Sequence, residues 1–158
     1  SDLFEGRPCF VTPCPETDQS VTETIRNVWH EVGMHTYEMN PSEHDEVIAT
    51  LSHVPHLAAS ALANTLGNVP FHLRNWGGQG WLDTTRVAGG DPDLWRSILM
   101  DNQEAVSTGL EALIHELKEF KNILDASDAQ TLLDFLGKAQ ALRYESEQTG
   151  GRPPSEPS

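Results

Sequence analysis

The pattern of apolar positions changes character near residue 40. In "ETDQSVTETIRNVWHEVG", Glu16 to Gly33, residues Val21, Ile25, Val28, Trp29 and Val32 recur at three- and four-residue spacing, the period of an amphipathic helix. Gly33 is well placed to end that helix. A short apolar run lies on each side, "RPCFVTP" ending at Pro13 and "MHTYEM" ending at Met39. Strand, helix, strand predicts one βαβ step with parallel, right-handed pairing. Two strands are marginal alone. The step therefore reads as the edge of a larger sheet, and the chain as a piece of something larger.

Beyond Met39 only helical patterns follow. Asn40, Pro41 and Glu43 supply an N-cap, a proline at the first position and a carboxylate to answer the cap amide. They predict a helix from Pro41 to Leu66, stopped by Gly67. The stretch "NVPFHLRNWGGQGW" is loop-like, with glycines 77, 78 and 80. Asp91 and Pro92 open a third helix in the same style, with apolar residues from Leu94 and Ile98 through Val106, Leu110, Leu113, Leu117, Phe120 and Leu124. "SDAQ", Ser127 to Gln130, is a capping box for a last helix carrying Leu132, Leu133, Phe135, Leu136, Ala139 and Leu142. The tail from Glu145 has the composition of disorder. The expected organisation is thus a βαβ edge unit over 1–40, an α-helical domain over 41–144 and a disordered tail over 145–158, mainly α in class.

Length sharpens one element. A third helix of about 34 residues is about 51 Å long, against a radius of gyration of about 15 Å for a compact domain of this size. Such a helix overhangs its own domain, so its apolar stripe calls for a partner chain. Interlocked helices in a homodimer are the simple solution.

Charge narrows the class. The formal net charge of −14 in 158 residues argues against nucleic acid and anionic membranes as partners, while leaving room for a local basic pocket. No apolar run reaches membrane-spanning length, and no secretory signal is visible from Ser1 onwards. The two cysteines, Cys9 and Cys14, are too few for a disulfide framework, so a cytoplasmic setting is expected.

Two segments could carry chemistry. In "ATLSHVPHLAASALAN", Pro55 stands inside the predicted helix between His53 and His56. A proline there costs about 3 kcal/mol. It should free the Leu51 carbonyl and bend the helix beside the histidines. At 100° per residue, Asp45, Ala49, Ser52, His56, Ala59 and Ala63 share one small-residue face. The plain alternative is that both histidines only pack. Metal binding is a weaker reading, because His53 and His56 lack the spacing that sets two ligands on one face. In "WLDTTRVAGGDPDLW", Arg86 follows a glycine loop and could hold a carboxylate in bidentate fashion, or simply pair with Asp83 or Asp91.

Together these segments resemble the prephenate dehydrogenase family and its arogenate-specific relatives. The matching text is "EHDEVIATLSHVPHLAASAL" followed by "GGQGWLDTTRVAGGDPDLWRSIL", in the family's order and spacing. "LFEGRPCFVTP" and "VWHEVGMHTYEMNPSEHD" resemble the family's last βαβ step before its helical domain. The resemblance runs from Leu3 to Leu142. It implies a remnant of a Rossmann-type sheet followed by a helical dimerisation domain. It also implies oxidative decarboxylation of prephenate to 4-hydroxyphenylpyruvate with NAD or NADP, in tyrosine biosynthesis; arogenate would give tyrosine.

By the same resemblance, Arg86 would bind a substrate carboxylate and His56 would lie beside the substrate. His53, Ser52, His44 and Trp95 would sit near the pocket, and Asp45 would position a ring. The chain departs from the family by lacking a glycine fingerprint and a histidine in an "HP-x-x-G" context. The proton-accepting histidine is therefore expected outside these residues, and neither bound cofactor nor turnover is expected of this chain alone. The rival reading is a non-catalytic helical dimer with a binding or regulatory role, derived from the same family.

Overall fold

The computed structural model describes residues 3–148. Two parallel strands, β1 (Pro8–Val11) and β2 (His35–Glu38), pair in register from Pro8 opposite His35 to Val11 opposite Glu38. Helix α1 (Gln19–Glu31) connects them. It starts at Asp18, whose carboxylate accepts from the Ser20 amide at 2.8 Å and hydroxyl at 2.7 Å. It ends at Gly33, at φ 93, where Met34 N–H reaches back to the Trp29 carbonyl and Gly33 N–H to that of His30. That pair of bonds needs a left-handed residue, and glycine supplies it without strain.

The remaining elements are helical, so the chain is mainly α with a βαβ step at its start. They are α2 (Pro41–Ile48), a π-helical turn (Ala49–His53), α3 (Val54–Thr65), α4 (Gln79–Thr85), α5 (Pro92–Asp101), α6 (Gln103–Asp125) and α7 (Ala129–Gln148), with short 3-10 turns between α3 and α5. Asn40 caps α2 as expected, accepting from Glu43 N–H at 2.8 Å. Asp91 caps α5, accepting from Leu94 N–H at 2.9 Å.

Four expectations are corrected. The helix over 41–66 is not one α-helix, because a π turn occupies its middle and a 3-10 turn begins at Leu66. The wider turn places Pro55 in the first turn of α3, where a missing N–H costs little. The third helix breaks at Asn102, whose φ of −116 and ψ of 35 leave the helical region, so the single long rod becomes α5 and α6. The last cap is Asp128, which accepts from Thr131 N–H and hydroxyl; Ser127 instead takes the left-handed position, φ 53, that closes α6. Lastly α7 continues through Gln148, beyond Glu145, where the disordered tail was expected to begin. The rest of that expected tail, 149–158, lies outside the described residues.

The chain divides into two compact units, one of residues up to His44 with those from His115 on, the other Asp45–Ile114. The buried apolar residues among those described are Ala49, Val54, Ala59 and Val106, all in the second unit. Gly109 lets α6 approach α3, since a Cβ there would stand 2.9 Å from Val54 Cγ2. In the first unit Thr22 is buried, while Val21, Ile25 and Val28 of α1 and Val32 just after it are 42–53% exposed. Two strands cover one side of α1, and the apolar stripe lies on another. In the same unit Phe120 and Phe135 stack at 5.3 Å and tie α6 to α7.

Candidate functional site

The π turn decides which side chains are buried. Its five-residue ladder is seen at Val54 N–H, which bonds to the Ala49 carbonyl. This stretches the spacing, so that Ala49, His53, Val54, His56 and Ala59 are buried while Ser52 is exposed. The 100° wheel grouped Ser52 with His56; the change of period separates them and draws in His53.

Trp95, from α5, joins the two histidines. Its indole stacks on the His56 ring at a centroid distance of 3.5 Å and an interplanar angle of 12°. It meets His53 edge-on at 6.3 Å and 87°. Gly90 allows this stack, because a Cβ at that position would stand 2.5 Å from Trp95 Nε1 and 3.3 Å from His56 Cε1. A cavity of about 400 Å3 opens beside it, lined among others by His56, Ser60, Asn64, Gly90, Trp95 and Arg96.

Burial holds His56 below the ordinary histidine pKa by desolvating its charged form. The ring is therefore neutral at pH 7. Its Nδ1 is buried without a hydrogen-bond partner. An orphaned lone pair is cheaper than an orphaned N–H, so the proton belongs on Nε2. His56 is thus a hydrogen-bond donor through Nε2.

Arg86 is exposed and opens the 3-10 turn Arg86–Gly89 that packs on α3. The two carboxylates that could have tied it down are engaged elsewhere. Asp83 accepts from Gln79 Nε2 at 2.7 Å, and Asp91 caps α5. His44 belongs to the other unit, where its ring meets Phe10 edge-on at 6.1 Å. Of the residues singled out by sequence, the structure thus brings His53, His56 and Trp95 into one cluster of rings. Ser52 and Arg86 lie on the surface of the same unit.

Gly90, Arg96 and Asn102 were missed. Gly90 has no side chain to carry a signal, Asn102 acts through partners far away in sequence, and Arg96 pairs with Asp93 at 3.3 Å on the surface of α5. Among the described residues no group of three His, Cys, Asp or Glu could hold a metal ion. No described helix is long and apolar enough to cross a membrane.

A larger depression, about 670 Å3, lies in the first unit at the C-terminal ends of the strands. Its Arg26 and Glu38 stand 3.7 Å apart. The residues here do not fit a dinucleotide. Strand β1 leads into Pro13 and Pro15 rather than a glycine turn, and the Asp18 carboxylate already occupies the α1 N-terminus where a pyrophosphate would sit.

The chain is thus a mainly α protein in which a parallel βαβ step precedes a helical unit holding a histidine stacked on tryptophan. Residues 40–138 match the family described as prephenate dehydrogenase, dimerization domain, and the chain belongs to that family. It is 29% identical over 144 residues to a prephenate dehydrogenase of Bacillus subtilis (strain 168), covering 89% of this chain and 39% of that protein. Its fold matches that of prephenate dehydrogenase from A. aeolicus in complex with hydroxyphenyl propionate and NAD+, with a TM-score of 0.86 and 32% identity, over 91% of this chain and 51% of that one. It also matches Synechocystis arogenate dehydrogenase, with a TM-score of 0.83 and 26% identity, over 92% and 54%. The chain thus spans about half or less of the length of these relatives.

Proposed function

We propose that this chain is the substrate-binding and dimer-forming part of an NAD(P)-dependent prephenate or arogenate dehydrogenase. The observation that carries the reading is the His56–Trp95 stack beside a cavity, formed by the two motifs through which the chain resembles that family. The Nε2–H of neutral His56 would donate to an oxygen of the substrate side chain. Trp95 would limit the position of the ring, and exposed Arg86 would hold a carboxylate in bidentate fashion. His53, Ser52 and His44 complete the proposed surroundings.

The oxidation removes a hydride from the ring carbon bearing the hydroxyl, and loss of CO2 makes the ring aromatic. In this reading the dinucleotide and the proton-accepting histidine are supplied from outside these residues. Two observations support that division of labour. The βαβ unit offers no pyrophosphate site, and the exposed stripe on α1 suits a helix covered by further structure. The exposed leucines of α6 and α7 would form the homodimer.

Protein translated from the whole gene should reduce NAD or NADP in the presence of prephenate or arogenate. Arg86→Ala, with its circular dichroism unchanged, should raise KM about a hundredfold, the loss of a charge-assisted bidentate contact. Absence of reduction with every pairing of substrate and cofactor would favour the non-catalytic helical dimer. An unchanged KM in Arg86→Ala would remove that residue from the site.

A further inference from the structure

Asn102 is the one residue between α5 and α6, and its side chain is tied to groups far away in sequence. Its Nδ2 donates to the Asp45 carbonyl at 2.8 Å and lies 3.4 Å from His53 Nδ1. The partners are 57 and 49 residues distant. A carbonyl oxygen only accepts, so the contact with Asp45 fixes which end of the amide is NH2. The second hydrogen of that NH2 group is then directed at His53 Nδ1.

We propose that Asn102 is a positioning residue, which holds the His53 ring with Nδ1 as acceptor and so sets the His53–Trp95–His56 cluster. The break in the helix is what lets it do so. An asparagine within a continuous helix would leave its side chain tethered to a regular ladder; the departure at φ −116 turns this one towards the π turn. Three segments meet at the amide: α2 through Asp45, the π turn through His53, and the junction of α5 and α6 through Asn102 itself. With Nδ1 accepting, neutral His53 carries its proton on Nε2. The ring plane that follows sets its edge on Trp95, and Trp95 lies on His56. A residue with no place in the cavity lining thereby fixes rings that border it.

The effect on substrate rests on the function proposed above; the effect on His53 does not. The chain labelled with 15N-histidine is examined by long-range proton–nitrogen spectra at pH 8. Wild-type His53 should show its proton on Nε2 and a bare Nδ1. Asn102→Asp replaces the donor with a carboxylate, so His53 should become protonated at Nδ1, where the new acceptor stands. Asn102→Ala should shift the His53 Nδ1 resonance and the Trp95 emission while keeping the helical circular dichroism. A proton on Nδ1 in the wild-type spectrum overturns the proposal even if every variant fails to fold. So does a His53 Nδ1 resonance that is identical in wild type and both variants. In protein from the whole gene, Asn102→Ala should raise KM about tenfold with kcat changed less. A shifted His53 with an unchanged KM would uphold the role of Asn102 and count against His53 as part of a substrate site.

Discussion

Both units leave large apolar residues in solvent, Phe71 and Trp76 in one and Leu117 and Leu133 in the other, but among the described residues only the unit from Asp45 to Ile114 also buries polar rings, His53 and His56. His53 and His56 are buried under Trp95, with Gly90 and Gly109 allowing the close approaches. In the other unit Val21, Val28 and Val32, and Leu117, Leu124, Leu133 and Leu136 of α6 and α7, are 42–64% exposed. Helical periodicity is equally clear in both. It states that a face is to be covered, but not by what. Internal glycines and a tryptophan cover the two histidines, while the exposed stripes of α1, α6 and α7 are left for the partners proposed above.

The largest test of this contrast removes the proposed partner. Leu133→Glu combined with Leu136→Glu should weaken dimerisation by about a hundredfold or more, halving the mass seen by light scattering at micromolar concentration. An unchanged mass would mean that those leucines are not an interface. Next is the internal cover. Gly90→Ala, at a φ of −66 that alanine accepts, forces Trp95 off His56 and should cost about 1–3 kcal/mol in denaturant unfolding, with altered tryptophan emission.

A local device should matter less. Asn40→Ala removes the α2 cap and should cost about 1 kcal/mol, leaving the tryptophan signal alone. The smallest effect is that of pH. Because burial lowers the His56 pKa below 6.5, the unfolded chain binds a proton that the folded ring refuses. Stability should hold above pH 6.5 and fall as pH drops below it, and the fall should be shallower in His56→Gln.

Features decided within a few residues were legible in the sequence. The βαβ step, the glycine end at Gly33 and the caps at Asn40 and Asp91 each follow from neighbours in the chain. Even there a near tie misled: Ser127 and Asp128 are both good caps, and the left-handed turn closing α6 gave the cap to Asp128. The π turn, the break at Asn102 and the exposure of Ser52 were not legible. Asn102 at that break meets Asp45 and His53 across 57 and 49 residues, contacts that no local pattern encodes. The family resemblance named His53, His56 and Trp95, whose rings the structure places in contact, yet it was silent on Gly90, which has no side chain to notice.

The π turn also makes chain length part of this site's chemistry. A turn with one residue more than the α register needs is equivalent to a single inserted residue. Deleting one residue between Ala49 and Leu51 would restore an ordinary ladder, with little loss of helix. It would also rotate everything before it by about 100° relative to everything after. The Asp45 carbonyl would leave Asn102, while every side chain named in the stack remained present. A one-residue gap in an alignment at this point would therefore mark a different site, though all its letters matched.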